Sequence, residues 1–226
     1  MEQDIEQIDD LEKFNPEEMY HLFDMKSLHP DIWYFDNTIS YPDELISFVN
    51  ELEKNPNSYT KSSKWEKIND YKKKVIHKNY LKRSSGDNIV DMQTLYIHNS
   101  LHMARTWCYK RYMESHNMQI DGYVVGDDSV CLYEDLAGKS YKSFNLHSGK
   151  DWELIAITFI NDDYKGGEIV FKKYNILIKP RLGSVLVFPK HMSDDYEIMD
   201  VTSGVRYTSI LTIEKSNVQK TDCYMS

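Results

Sequence analysis

Paired cysteines are missing from this chain: the three it has, Cys108, Cys131 and Cys223, are odd in number, widely spaced and without a CxxC pair. The pattern argues against a disulfide framework and a cysteine-held zinc, and suits a reducing compartment. No apolar run approaches the roughly 20 residues that a membrane-spanning helix needs. The start, Met1-Glu2-Gln3-Asp4-Ile5-Glu6, is acidic and lacks the apolar core of a secretory signal. Positive charge is also scarce, with 27 Lys and Arg against 36 Asp and Glu and a net charge of -9. That balance argues against a general nucleic-acid surface. Internal repeats, low-complexity tracts, EF-hand spacing, a phosphate-binding glycine loop and a nucleophile elbow are all absent from the sequence.

What is present describes one globular domain. The length of 226 residues allows a substantial core. The apolar share is 41%, and the mean hydropathy is -0.60. Seventeen tyrosines and four tryptophans exceed what such a core needs. Aromatics are enriched at protein contacts, so a partner surface is expected. The one basic stretch, Lys72-Lys73-Lys74 to Lys82-Arg83, reads as a solvated face or loop rather than a phosphate site.

Residues 1–27 alternate acids with scattered apolars and read as an exposed acidic arm; 28–214 read as the domain, and 215–226 as a loose polar tail. Ile32-Trp33-Tyr34-Phe35 is strand-like. Ser40-Tyr41-Pro42-Asp43-Glu44 combines a capping residue, an early proline and first-turn acids, which starts a helix. Its apolar face is Leu45, Ile46, Val49 and Leu52, and Asn55-Pro56-Asn57-Ser58 ends it. A second helix over about 91–117 follows from Ile97, Leu101, Ala104, Cys108 and Tyr112, spaced by three or four. From Ser129 the pattern changes to short strands: Val130–Tyr133, Trp152–Ile160, Glu168–Phe171, Ile176–Ile178, Val185–Phe188 and Val205–Ile213. Regularly spaced short strands favour a sandwich or jelly roll over a parallel sheet.

The stretch from Ile155 to Ile213 carries a specific order of landmarks. An apolar strand leads to Asn161-Asp162-Asp163-Tyr164-Lys165-Gly166-Gly167-Glu168, and a further strand leads to Pro180. Gly183-Ser184-Val185-Leu186-Val187-Phe188-Pro189 and Gly204-Val205-Arg206-Tyr207-Thr208 follow. This order resembles the prolyl-hydroxylase-like branch of the Fe(II)/2-oxoglutarate oxygenases, above all its small tailed-phage versions. The resemblance implies an α+β, mainly β fold: a double-stranded β-helix, or jelly roll, with N-terminal helices packed on one sheet. It covers the last half of the chain strongly and Trp33 to Leu52 weakly.

These oxygenases hold iron with two histidines and one carboxylate. Carried across through the lead-in Tyr133, Gly138 and Tyr141, the first histidine position is Phe144 and the carboxylate position is Leu146. The third ligand belongs ten residues before Arg206, at Tyr196. None of the three is suited to ferrous ion: phenylalanine and leucine lack donor atoms, and a neutral phenol is a poor substitute for imidazole. The resemblance makes Arg206, Thr208 and Tyr133 the residual cosubstrate-binding residues. Alternation sets Arg206 and Thr208 on one strand face, and a guanidinium suits a carboxylate. Without iron, the plainer role of Arg206 is a buried structural arginine.

Rival sites are weaker. His147 and His191 form an alternative iron pair of the halogenase kind, but each needs a shift in register, and an odd shift turns a strand side chain to the other face. His98 and His102 sit four apart on the second helix and read as a solvated pair. Asp162-Asp163 and Asp194-Asp195 read as turn residues. The expectation is a catalytically inactive pseudo-oxygenase with no cofactor, serving as a structural or binding module. The resemblance implies a phage virion component, such as a neck or tail accessory protein bound to other virion proteins. Its location would be the virion or host cytoplasm, without membrane or secretion. The alternative is an active dioxygenase or halogenase using Fe(II) and 2-oxoglutarate. A small-anion sensor using Arg206 and Thr208 is a third reading.

Overall fold

The structure, a computed structural model, describes residues 24–54, 66–68, 71–76, 92–119, 123–125, 130–136 and 152–215. Side chains are described within 24–50, within 96–119, at 123 and within 152–215. In chain order the elements are β1 (Asp24–His29), β2 (Ile32–Asp36), α1 (Pro42–Lys54), β3 (Glu66–Ile68), β4 (Tyr71–Ile76) and α2 (Met92–Ser115). Next come β5 (Tyr123–Val125), β6 (Val130–Leu136), β7 (Trp152–Phe159), β8 (Lys165–Gly166), β9 (Ile169–Phe171) and β10 (Ile176–Ile178). The last are β11 (Val185–Pro189), β12 (Tyr196–Ile198), β13 (Val201–Ser203) and β14 (Val205–Lys215).

Among the described residues a nine-stranded sheet runs β1-β2-β11-β7-β14-β6-β4-β3, with β5 also on β14. A smaller sheet, β10-β9-β12, and a two-stranded pair, β13-β8, accompany it. Every strand pair is antiparallel. Antiparallel sheets with two α-helices among the described residues agree with the jelly roll that the resemblance implies.

Strand alternation divides the large sheet into two working faces. Trp33, Phe35, Leu154, Ala156, Ile160, Val185, Val187, Tyr207, Leu211 and Ile213 pack against the helices in one buried cluster. Ile32, Tyr34, Ile155, Ile157, Phe159, Leu186, Phe188 and Ile210 turn the other way, into a second cluster. That cluster is closed from the opposite side by Ile169, Phe171, Ile178, Tyr196 and Ile198 of the small sheet. β7 lies between β11 and β14. Buried on both faces, it reads as a continuous apolar run rather than an alternating one.

The helices form for the reasons that their sequences supply. Pro42 opens α1, with Asp43 and Glu44 in its first turn, where acids favour the positive end of the helix dipole. Leu45 and Val49 are fully buried. In α2 all five residues of the expected stripe are buried. Asn117 takes a left-handed conformation at φ 53°, and Met118 N–H donates back to the Met113 carbonyl at 2.9 Å. This is a Schellman closure, with asparagine in glycine's usual place.

Three expectations change. The sheet starts before residue 28: β1 is an exposed edge strand paired to β2 through a bulge between Ser27 and His29. Its exposure and Lys26 make it a protected edge that sequence periodicity cannot reveal. Of the two readings of Lys72-Lys73-Lys74, a solvated face or a loop, the loop gives way, because the run is part of β4, paired to β6. His98 is buried, not solvated, and stacks on His102 with ring centroids 5.9 Å apart. Residues 55–58, the tail 216–226 and Lys82-Arg83 lie outside the described residues, as does most of the expected arm.

Candidate functional site

The Gly-Gly turn meets β14 at one end of the inner cluster, and Asn161 joins the two. Its side-chain N–H groups donate to Asp163 Oδ1 at 2.6 Å and to the Val205 carbonyl at 2.7 Å. Its oxygen accepts from Tyr207 N–H at 2.7 Å. Ile160 N–H adds a bond to the Tyr207 carbonyl. Asn161 is buried, so removing it strands backbone groups away from water. Asn161→Ala is expected to cost about 2–3 kcal/mol, read as a lowered urea midpoint with unchanged slope.

Arg206 is 1% exposed, and Thr208 is also buried. Arg206 Nη1–H donates to the Gly167 carbonyl at 2.9 Å. A Cβ at residue 167 would stand 3.1 Å from that same nitrogen and 3.0 Å from the Tyr164 ring, so the approach requires glycine. Thr208 Oγ1 has no hydrogen-bond partner among the described residues. β6 pairs with β14 so that Tyr133 lies opposite Thr208. The three residues expected at a cosubstrate position therefore come together in one region of the sheet.

Tyr196 begins β12 directly opposite Phe171 of β9. It is 6% exposed. Its ring lies 5.1 Å from Phe188 and 6.1 Å from Phe171, and those two meet edge-to-face at 5.3 Å. The residue at the third-ligand spacing thus belongs to an aromatic box inside the barrel. Phe144, Leu146 and His147 lie outside the described residues.

His191 is elsewhere. It sits in the single 3-10 turn Lys190–Met192 after β11 and is 65% exposed, with Nε2 3.6 Å from Asp31 Oδ2. Its neighbour Met192 is the residue of that turn that enters the inner cluster. The exposed turns carrying Asp162-Asp163 and Asp194 are likewise on the outside. Among the described residues no group of three His, Cys, Asp or Glu side chains is placed to hold a metal ion. Cys108 is buried, and burial pushes its thiol well up, which disfavours the reactive thiolate.

Two features of the site escape a reading of the sequence. One is Asn161, whose only signal is an amide at the end of a buried strand. The other is Tyr34, on the inner face, whose hydroxyl accepts from Arg181 N–H at 3.0 Å. Burial raises the Tyr34 phenol above its ordinary range, keeping it neutral. Arg181 also pairs with the buried Asp36 at 3.0 Å, and Thr38 donates to the Gly183 carbonyl at 2.7 Å. These bonds tie the turn before β11 to the end of β2.

The chain has a double-stranded β-helix, the fold also found in Fe(II)/2-oxoglutarate oxygenases of the prolyl-hydroxylase type. The viral collagen prolyl hydroxylase of Paramecium bursaria Chlorella virus-1, solved with 2-oxoglutarate, is 15% identical. That match covers 82% of this chain and 96% of that one, with a TM-score of 0.53. A prolyl 4-hydroxylase of Phytophthora capsici is 14% identical over 84% of this chain and 60% of its own, with a TM-score of 0.53. A prolyl hydroxylase of Trichoplax adhaerens, solved with a hypoxia inducible factor peptide fragment, is 12% identical over 82% and 84%, with a TM-score of 0.51. Identities this low make the likeness one of fold. No family model matches the sequence, and no curated protein matches it.

Proposed function

We propose that this protein is an oxygenase scaffold that has given up iron and works as a binding or structural module. The observation that carries the reading is Tyr196. It occupies the spacing of the third iron ligand, and its ring packs with Phe171 and Phe188. Ferrous ion needs imidazole and carboxylate donors around open positions. The residues at the three ligand spacings are Phe144, Leu146 and Tyr196, and such a donor set does not fit. Close-packed interiors leave little room for a vacated metal cavity, so large apolar replacements are what a barrel without metal would carry.

A jelly roll with an abundance of tyrosine is a stable platform for protein contacts, and fold alone does not impose activity. The sequence resemblance to tailed-phage relatives supports a place among virion proteins, as a neck or tail accessory. The competing reading is an active dioxygenase, favoured by the fold shared with prolyl hydroxylases. The exposure of His191 and its position beside Asp31 count against its use as a ligand in that reading.

Anaerobic purification with Fe(II) and 2-oxoglutarate decides between them. The expected result is metal far below one equivalent and no succinate. Iron near stoichiometry, or succinate release, favours the active enzyme.

A further inference from the structure

We propose that His116 is a proton-operated clasp: as an imidazolium it fastens the β1–β2 turn to the end of α2, and loss of its proton releases one of the two bonds. The inference is independent of whether the barrel holds iron. His116 stands one residue past α2, and both of its ring nitrogens face carbonyl oxygens. Nδ1 lies 2.7 Å from the Tyr112 carbonyl, and Nε2 lies 2.8 Å from the Pro30 carbonyl. A carbonyl only accepts, and a neutral imidazole carries a single N–H. The imidazolium alone makes both bonds; a neutral ring sets a lone pair against one of the oxygens.

The surroundings suit a cation. The end of a helix carries negative partial charge, and Asp31 Oδ1 stands 3.9 Å from His116 Nε2. The ring stacks on Tyr112 with centroids 4.0 Å apart and has Trp33 at 5.5 Å, aromatic neighbours that attract positive charge. Trp33 Nε1–H donates to the same Pro30 carbonyl at 3.0 Å, so the turn is held from two sides. Tyr112 adds a third hold, its hydroxyl donating to the Asp31 carbonyl at 3.3 Å. Burial first, and the Asp31 charge second, push that phenol well above its ordinary range, so it stays a neutral donor.

Three histidines approach Asp31, and their contacts separate them. His29 Nδ1 accepts from Asp31 N–H at 3.2 Å, a bond that needs this nitrogen bare, so protonation of His29 works against the turn. His191, 65% exposed and 3.6 Å from Asp31 Oδ2, forms a surface pair that contributes little. The Arg111–Glu114 pair of α2, at 3.8 Å, is exposed as well. The proton on His116 belongs to the folded state. Its contribution is therefore present at the acid end of the histidine range, about pH 5–8, and is lost as the pH rises through it.

The test uses the full chain as parent, His116→Gln and His191→Gln. Long-range nitrogen–proton NMR reads the protonation of each imidazole nitrogen in the parent. At the pH where exposed His191 is half titrated, His116 should still carry protons on both nitrogens in most molecules. Urea unfolding supplies the second readout. Between about pH 6 and about pH 8 the parent midpoint should fall by roughly 0.5 M more than that of His116→Gln, and His191→Gln should follow the parent. A His116 that titrates together with His191 or before it overturns the proposal, as does an equal pH dependence in the parent and His116→Gln. So does a His191→Gln variant that loses the pH dependence. If His116→Gln does not fold, the NMR titration of the parent decides alone.

Discussion

Gly166→Ala is expected to destabilise the protein by about 3–5 kcal/mol, the range reached when backbone strain and a steric clash combine. Gly166 sits at φ +76°, where an L side chain is strained. A Cβ built there lies 2.1 Å from the Asp200 carbonyl oxygen and 3.1 Å from Thr202 N. Both are backbone atoms, so no rotamer change relieves the contact. The same Asp200 oxygen accepts from Gly167 N–H at 3.0 Å, and Gly166 pairs with Val201 between β8 and β13. The turn that brings the Gly167 carbonyl to Arg206 would therefore shift. Urea unfolding measures the effect, with exposed Thr202→Ala on β13 as a control within about 0.5 kcal/mol. A loss for Gly166→Ala no larger than that control would mean the β8–β13 pair is not closed as described.

Phe171→Ala is expected to cost about 3–5 kcal/mol, the usual price of emptying a buried aromatic site. Phe171 is fully buried at the centre of the small sheet, paired on one side with Ile176 and on the other with Tyr196. Its ring meets Phe188 across the barrel, so one truncation removes contacts to both sheets. Phe171→Leu keeps most of the volume and should cost about 1–1.5 kcal/mol. The ratio of the two losses reports how closely the box around Tyr196 is packed. If Phe171→Ala costs less than about 1 kcal/mol, the rings do not form a closed core and the metal-free account of Tyr196 weakens with them.

Which elements are readable in the sequence follows from what stabilises each. β7 and β11 bury continuous apolar stretches, Leu154 to Ile157 and Val185 to Phe188, so composition alone marks them. α2 is marked by its stripe, and α1 by Pro42 with Asp43 and Glu44. β12, Tyr196-Glu197-Ile198, and β13, Val201-Thr202-Ser203, are short and broken by polar residues, unlike the equally short but wholly apolar β9 and β10, so β12 and β13 carry no pattern to read. They exist because Phe171 and Gly166 offer pairing partners from distant parts of the chain. β1 is polar and exposed, and is held by β2 rather than by burial.

At the site the division is similar. Arg206 and Tyr196 are singled out by the spacing of the family that the chain resembles, and their burial is a matter of tertiary packing. His191 and His98 cannot be judged that way, since exposure depends on which surface a turn or helix meets. Asn161 shows the same limit: its three bonds join residues more than forty positions apart to the turn beside it.

By itself the sequence determined the main strands of a β-rich domain and the apolar stripe of its long helix, because alternation and turn chemistry are local properties. Only the tertiary structure decided the aromatic surroundings of Tyr196, the burial of Arg206 against Gly167 and the register of β14 on β6. Those depend on pairing between strands far apart in the chain, and no local pattern encodes which strand becomes the neighbour.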